Sequence, residues 1–306
     1  MTGMPYRIRP DREFTAEFRK AAKGQLHHAI TTIKEKPDGP HEAIHDVRKN
    51  LKRVRSLYRL VSREIPKFQE RENARLRDIA KTISAVRDAA ALVETATYLK
   101  SSAHDDEEAE ALCRIIAILE ERRDRMIDAE GGMDEQCAHV IAALEAAEAA
   151  VDDVTFPHGR RKAARLISKG WRNTLSKAQN AMHACQKRCC TEAFHTLRKR
   201  AQDYRAYHLL LALVWPSAMA AKYDAISDLV DVLGRVHDLD VLCDLVEQEP
   251  RLFENSDDLA WLLAAIIFRQ QVDRHTALDL AADVLADPPR EEARRIKTLW
   301  LALSKP

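Results

Sequence analysis

A histidine followed three residues later by an arginine-lysine pair occurs twice in this chain, as His45-Asp46-Val47-Arg48-Lys49 and as His195-Thr196-Leu197-Arg198-Lys199. A second polar motif follows each copy at the same distance, Arg87-Asp88 in one case and His237-Asp238 in the other, so that both motifs recur at one offset of 150 residues. These residue types suit the recognition of anions. Arg and Lys placed on successive helical turns, about 5.4 Å apart, make a ladder of cationic heads that can track a row of phosphates. Arginine adds a planar fork that grips two phosphate oxygens at once, whereas lysine supplies a mobile point charge. A histidine donates a hydrogen bond while neutral and gains a charge near pH 6.5, a value that a nearby anion raises.

The elements that must carry these residues are helices. Val47, Leu51, Val54 and Tyr58 are spaced as an apolar stripe facing a core, and His45, Arg48, Lys52, Arg55, Arg59 and Arg63 form a second, cationic stripe on the same helix. Almost no Glu or Asp stands at the positions that would relieve the repulsion between these like charges. Such a stripe is expected to meet a polyanion, or else carboxylates from another element such as the acidic segment 101–153.

Composition agrees with an all-α chain. Of 306 residues only 8 are Gly and 6% are aromatic, so helix formers dominate and little remains from which to build sheets. Periodicity and punctuation predict helices near 12–35, 41–64, 67–100, 105–128 and 134–150. A second set is predicted near 159–183, 188–214, 217–248, 256–286 and 290–303. The breaks between them are Pro37-Asp38-Gly39-Pro40, Pro66, Ser101-Ser102, Gly131-Gly132, Pro216, Pro250 and Pro288-Pro289, and the halves join at Asp152 to His158. One offset shared by two motifs points to an internal duplication, and hence to a single domain over 1–306 made of repeats at about 12–152 and 158–303.

The formal net charge of +1 argues against binding through bulk charge, but it conceals segregation: no acidic residue occurs from His158 to Thr191. No window approaches the roughly 18 apolar residues of a membrane span, and Met1 to Phe14 lacks the apolar core of a signal peptide. The six cysteines have no disulfide-like spacing, so a cytoplasmic location is expected and a membrane partner is not.

The two His-x-[Val/Leu]-Arg-Lys motifs, with Ala85-Val86-Arg87-Asp88-Ala89-Ala90 and the run from Leu233 to Leu242, resemble the CHAD domain family, the conserved histidine α-helical domain. The resemblance spans about 12–303. It implies two similar antiparallel helical bundles related by a pseudo-twofold axis, with a basic groove or pore between them that binds inorganic polyphosphate. It also implies an association with polyphosphate-metabolising enzymes or polyphosphate granules. Carried over residue by residue, it assigns polyphosphate binding to His45, Arg48, Lys49, Lys52, Arg53, Arg55 and Arg59 in the first motif, and to His195, Arg198, Lys199 and Arg205 in the second. Gln202 and Asp203 depart from the pattern, standing where Lys52 and Arg53 stand in the first copy, which makes the second ladder the weaker one. Arg161, Arg165, Lys169 and Arg172 on the acid-free helix are expected to compensate, with Arg19 and Lys23 as their counterparts in the first half. Arg87 and His237 are expected to face the anion, with Asp88 and Asp238 orienting neighbouring side chains.

Two readings of other classes stay open. A His-Asp dipeptide can contribute to a divalent-metal site that activates water, which would make the chain a metal-dependent phosphohydrolase, although Arg87 cannot ligate a metal. A basic face can also serve as a scaffold that docks an acidic protein or a nucleic acid. No catalytic residue, metal site or cofactor is expected, because the phosphate-loop, nucleophile-elbow and dinucleotide fingerprints are absent from the sequence. His183, Cys185, Cys189 and Cys190 lack the second ligand pair of a structural zinc site. Trp171, Trp215, Trp261 and Trp300 sit among apolar residues and are expected to pack rather than to stack on bases, so nucleic acid is the weaker polyanion.

Overall fold

Proline starts four of the helices, at Pro40, Pro66, Pro216 and Pro289, where its missing N–H costs nothing and its fixed φ suits the first turn. The structure, a computed structural model, describes residues 6–304 except Asp38 and residues 130–132. The expected break at Gly131-Gly132, the Asp38 position of the first break and the segment Met1 to Pro5 therefore lie outside the described residues. Those described form α1 (Phe14–Glu35), α2 (Pro40–Leu60), α3 (Pro66–Thr82), α4 (Ala85–Lys100), α5 (Asp106–Ala129), α6 (Met133–Ala150), α7 (Arg160–Arg188), α8 (Thr191–Leu210), α9 (Pro216–Gln248), α10 (Ser256–Val284) and α11 (Pro289–Leu303). Short 3-10 turns occupy Val151–Asp153 and Pro250–Leu252, and no strand occurs among the described residues.

Local chemistry sets several of the ends. The Glu13 side chain accepts from the Ala16 N–H at the start of α1, and Asn255 accepts from the N–H groups of Asp257 and Asp258 at the start of α10. Asp106, Glu107 and Glu108 crowd the first turn of α5, where the helix dipole favours negative charge. One helix expected over 67–100 is two, because α3 stops at Thr82 and α4 begins at Ala85. Thr82 and Ile83 are β-branched and Ser84 competes for backbone hydrogen bonds, so three successive residues favour leaving the helix. The second ladder helix also ends sooner than expected, at Leu210, and residues 211–214 turn tightly toward Pro216.

Two apolar clusters hold the helices together, and neither belongs to one half of the sequence. The larger draws on α1, α2, α3, α6, α7, α8, the first part of α9, the last part of α10 and α11. The smaller joins α4 and α5 to the second part of α9 and the first part of α10. Val47, Leu51, Val54 and Tyr58 are buried as their spacing required. Trp171 and Trp300 are buried too, but Trp215, expected to pack, is 50% exposed because it lies in the turn before α9 rather than on a helix face. No helix among the described residues is long and apolar enough to cross a membrane. All six cysteines are free thiols, and burial pushes the Cys185 thiol up to about 12.

The two ladder helices, α2 and α8, pack directly on each other. What ties them is a buried carboxylate. Asp203, 1% exposed, accepts from the Ser56 hydroxyl at 2.8 Å and from Arg59 at 2.5 and 2.8 Å, and it pairs with Arg200 at 3.4 Å. The residue that departs from the first motif is thus the anchor of the α2–α8 contact. Near its C-terminal end α2 also meets α7, at Gly170. A Cβ there would lie 1.9 Å from the Leu60 carbonyl oxygen, so the crossing requires glycine.

Two stability outcomes follow from this packing. Gly170→Ala is expected to cost about 2 kcal/mol through overpacking, read as a lower urea midpoint at unchanged m. Asp203→Ala is expected to cost about 3–5 kcal/mol, because it strands the Arg59 charge in the interior. The double variant Arg59→Met/Asp203→Leu should recover part of that loss.

Candidate polyanion site

Where α2 faces α8, the two ladders converge. Lys52 is open to solvent at its head but hemmed in by protein. Burial, followed by the charges of Arg198, Arg48 and Arg205, pushes its pKa down to about 8, with Asp238 opposing them. Burial lowers Arg198 as well; Asp238 offsets that effect, while Arg48 and Arg205 add to it. Arg55, lowered by burial and by Arg59, and Lys199, lowered by burial, Arg200, Arg55 and Arg59, continue the cationic surface toward the Asp203 anchor. The Nε atoms of Arg55 and Arg198 are buried without a hydrogen-bond partner among the described residues. A buried donor left unpaired is costly, so these two call for an acceptor from water or from a ligand.

The second-copy histidines meet each other. The His195 and His237 rings lie 5.1 Å apart at an interplanar angle of 34°, and the buried His195 Nδ1 has no partner among the described residues. The sequence led us to expect charging near pH 6.5. Burial and the cations Arg198, Lys52 and Lys199, together with His195 itself, instead push His237 down to about 4, and burial with Lys199 and Arg198 lowers His195. Both rings are therefore neutral at pH 7, and two neutral rings can stack where two cations would repel. Asp238, beside Arg198, Arg87 and Lys52, is raised by burial.

The remaining first-copy residues vary in placement. His45 and Lys49 are exposed, with Lys49 3.9 Å from Asp46. Arg48 pairs with Asp88 at 3.4 Å, so this carboxylate touches one neighbouring arginine. Arg87 makes a two-pronged pair with Glu94 at 3.0 Å for each bond, and Arg205 lies 3.8 Å from Asp231.

Other candidates are engaged away from this convergence. Arg53 donates to Gln25 and lies over the Tyr6 ring, on the α1 side of α2. Arg59 is committed to Asp203. Arg19 donates to the Val154 carbonyl and Lys23 pairs with Asp152 at 2.6 Å, so both clasp the junction between halves. Arg161, Arg165, Lys169 and Arg172 share the exposed face of α7. Arg172 borders a crevice of about 500 Å³ with Ser176 and residues 288–291 at the start of α11. The acidic segment does not neutralise the ladders: among the described residues its carboxylates pair with Lys23, Lys34, His104 and arginines of α5 itself.

Sequence reasoning passed over Arg200, which joins Asp203, and Glu94, which holds Arg87. Arg200 extends the Arg198-Lys199 run, and Glu94 stands seven residues from Arg87, two turns along one face, so both signals were present. Asp231 had no local signal. A further network also escaped notice. Asp240 accepts from Thr191, Gln270 and Arg274, while Asp273 accepts from Tyr98, whose ring lies under Arg235 and Arg269. It fastens α10 to α4, α8 and α9. Among the described residues, no group of three or more His, Cys, Asp or Glu side chains is arranged to hold a metal ion.

The family model of the CHAD domain matches residues 18–247. Among solved structures, the crystal structure of the CHAD domain from the plant Ricinus communis aligns with a TM-score of 0.68 at 17% sequence identity, covering 94% of this chain and 96% of that one. At that identity the likeness is one of fold. No curated protein sequence matches. With the family model covering most of the chain, and with paired His-x-x-Arg-Lys helices brought face to face in an all-helical body, the chain belongs to the CHAD-domain family.

Proposed function

We propose that α2, α8 and the segments carrying Arg87-Asp88 and His237-Asp238 line a basic groove that binds inorganic polyphosphate without transforming it. The observation that carries this reading is the position of Lys52. A lysine of one ladder lies among Arg48 of its own helix and Arg198 and Arg205 of the other, and burial first, with these charges adding to it, brings its pKa to about 8. Cations held together in this way, with buried guanidinium donors left over, favour a ligand that brings many negative charges in a continuous line. Polyphosphate offers one charge for each repeating unit and no bases to be read. Among the described residues no Phe, Tyr or Trp ring is interleaved with the cations at the convergence, which supports it over single-stranded nucleic acid.

The same reading takes the two halves as duplicates related by a pseudo-twofold axis. In its support, α8 begins and ends within a residue or so of α2 displaced by 150 residues, α9 spans the displaced range of α3 plus α4, and α10 begins where α5 does after that displacement. Arg48 and Arg198 are then equivalent positions, and so are Asp88 and Asp238. The halves differ at Ser84 and Gly234. The second-half helix runs on through Gly234, whose missing side chain leaves room beside Arg198.

Calorimetric titration with long-chain polyphosphate, using orthophosphate and duplex DNA as controls, tests the reading. Saturable binding that weakens steeply with salt is expected, with a logarithmic slope of about 0.7 for each phosphate neutralised, taking single-stranded nucleic acid as the analogue. Lys52→Ala/Arg198→Ala/Arg205→Ala should weaken binding at low salt about 100-fold and lower that slope by about 2. A triple variant that binds like the parent removes the convergence from consideration as the site.

The pH dependence should come from the lysine. Bound phosphate raises the Lys52 pKa, so affinity is level below pH 8 and declines as the pH rises through about 8, where the free protein loses that proton. Lys52→Arg, which keeps its charge, should flatten the decline.

A further inference from the structure

Among the carboxylates that meet cations of α2, α4, α8, α9 and α10, two groups contrast. Asp203, Asp240 and Asp273 have side chains 1%, 7% and 2% exposed, and each holds two or more partners. Asp88, Glu94 and Asp231 have side chains 54%, 65% and 69% exposed. Each of these three meets a single guanidinium among the described residues: Arg48 at 3.4 Å, Arg87 at 3.0 Å and Arg205 at 3.8 Å respectively. Arg48 and Arg205 both act on Lys52, and Arg87 acts on Asp238, so the three capped arginines surround the same convergence.

Exposed pairs of this kind contribute little to stability and weaken with salt, so they can open without disturbing the fold. The buried pairs cannot. While closed, each exposed pair cancels a cation and sets a negative charge in the path of an incoming anion.

We propose that Asp88, Glu94 and Asp231 are specificity-determining residues, removable caps that set a threshold of ligand charge density; this rests on the polyphosphate reading above. A lone anion that displaces one cap exchanges one carboxylate for one phosphate and gains little. A chain whose phosphorus atoms are separated by single bridging oxygens brings several charges to each arginine. Once its first cap is displaced, the next exchanges are intramolecular and proceed at high effective concentration. A nucleic-acid strand, with a sugar between successive phosphates, reaches fewer of the arginines per unit length and meets caps still in place. The acids therefore discriminate by repulsion, which contact with the preferred ligand overcomes.

The test compares three proteins at one fixed salt concentration: the parent, Asp88→Asn/Glu94→Gln/Asp231→Asn, and Glu107→Gln/Glu110→Gln/Glu120→Gln, which removes the same charge from exposed positions on α5. Each is titrated with long-chain polyphosphate, orthophosphate and single-stranded DNA. The cap variant is expected to gain at least about tenfold more in affinity for DNA than for polyphosphate, a loss of selectivity of about 1.4 kcal/mol. The α5 variant should behave like the parent. Equal gains for polyphosphate and DNA, or the same gain in the α5 variant, would mark a bulk charge effect and overturn the inference. So would a cap variant with the parent's selectivity. A parent that binds no polyphosphate overturns the functional reading itself, and the inference falls with it.

Discussion

Two helices that each carry a cationic ladder have to pack on one another, and the remaining features of the site depend on how that contact is made tolerable. The apolar stripe of α2, from Val47 to Tyr58, is buried in the larger cluster beside Leu197, Ala201 and Tyr204 of α8. That burial draws the charged stripes together as well. One carboxylate at the contact is buried outright. Asp203 takes Arg59, Ser56 and Arg200 and leaves Lys52, Arg55, Arg198 and Lys199 without an equivalent. The contact is thus anchored by a buried carboxylate at one place, while Arg48 and Arg205 have only the exposed partners Asp88 and Asp231.

Away from that anchor the neutral members stay neutral. His195 and His237 can lie ring against ring because burial and the surrounding cations depress both pKa values. Lys52 gives way in the same direction and holds its proton less firmly than an exposed lysine. These shifts share one sign: burial leads in each, and the neighbouring positive charges add to it. On the polyphosphate reading, a bound anion opposes the charge part of the Lys52 shift and so favours the protonated lysine.

Cations outside the convergence have other duties. Arg53 works against Gln25 and Tyr6, while Arg19 and Lys23 fasten α1 to the segment 152–154 that joins the halves. The stripe on α7 faces solvent because the opposite face of that helix, from Ala163 through Trp171 to Cys185, is claimed by the core. Both apolar clusters recruit helices from both halves, so the ladders are held by packing on either side of the midpoint.

The sequence by itself determined the helices, their proline starts, the buried stripe of α2 and the doubled motif, because each is a matter of local spacing and propensity. It also carried the family resemblance, and it marked Lys52, Arg198 and His237 as members of one set. It could not say which cations would be taken by carboxylates, since Asp203, Asp231 and Asp152 lie far along the chain from Arg59, Arg205 and Lys23 and meet them only through packing. The family resemblance grouped Arg53 with Lys52, although helical spacing keeps Arg53 off the cationic stripe, about 100° round the helix, and packing sends it to Gln25 and Tyr6. The pKa values of the histidines were equally out of reach. A side chain's charge state depends on everything within a few ångströms of it, and only the tertiary structure decides which residues those are.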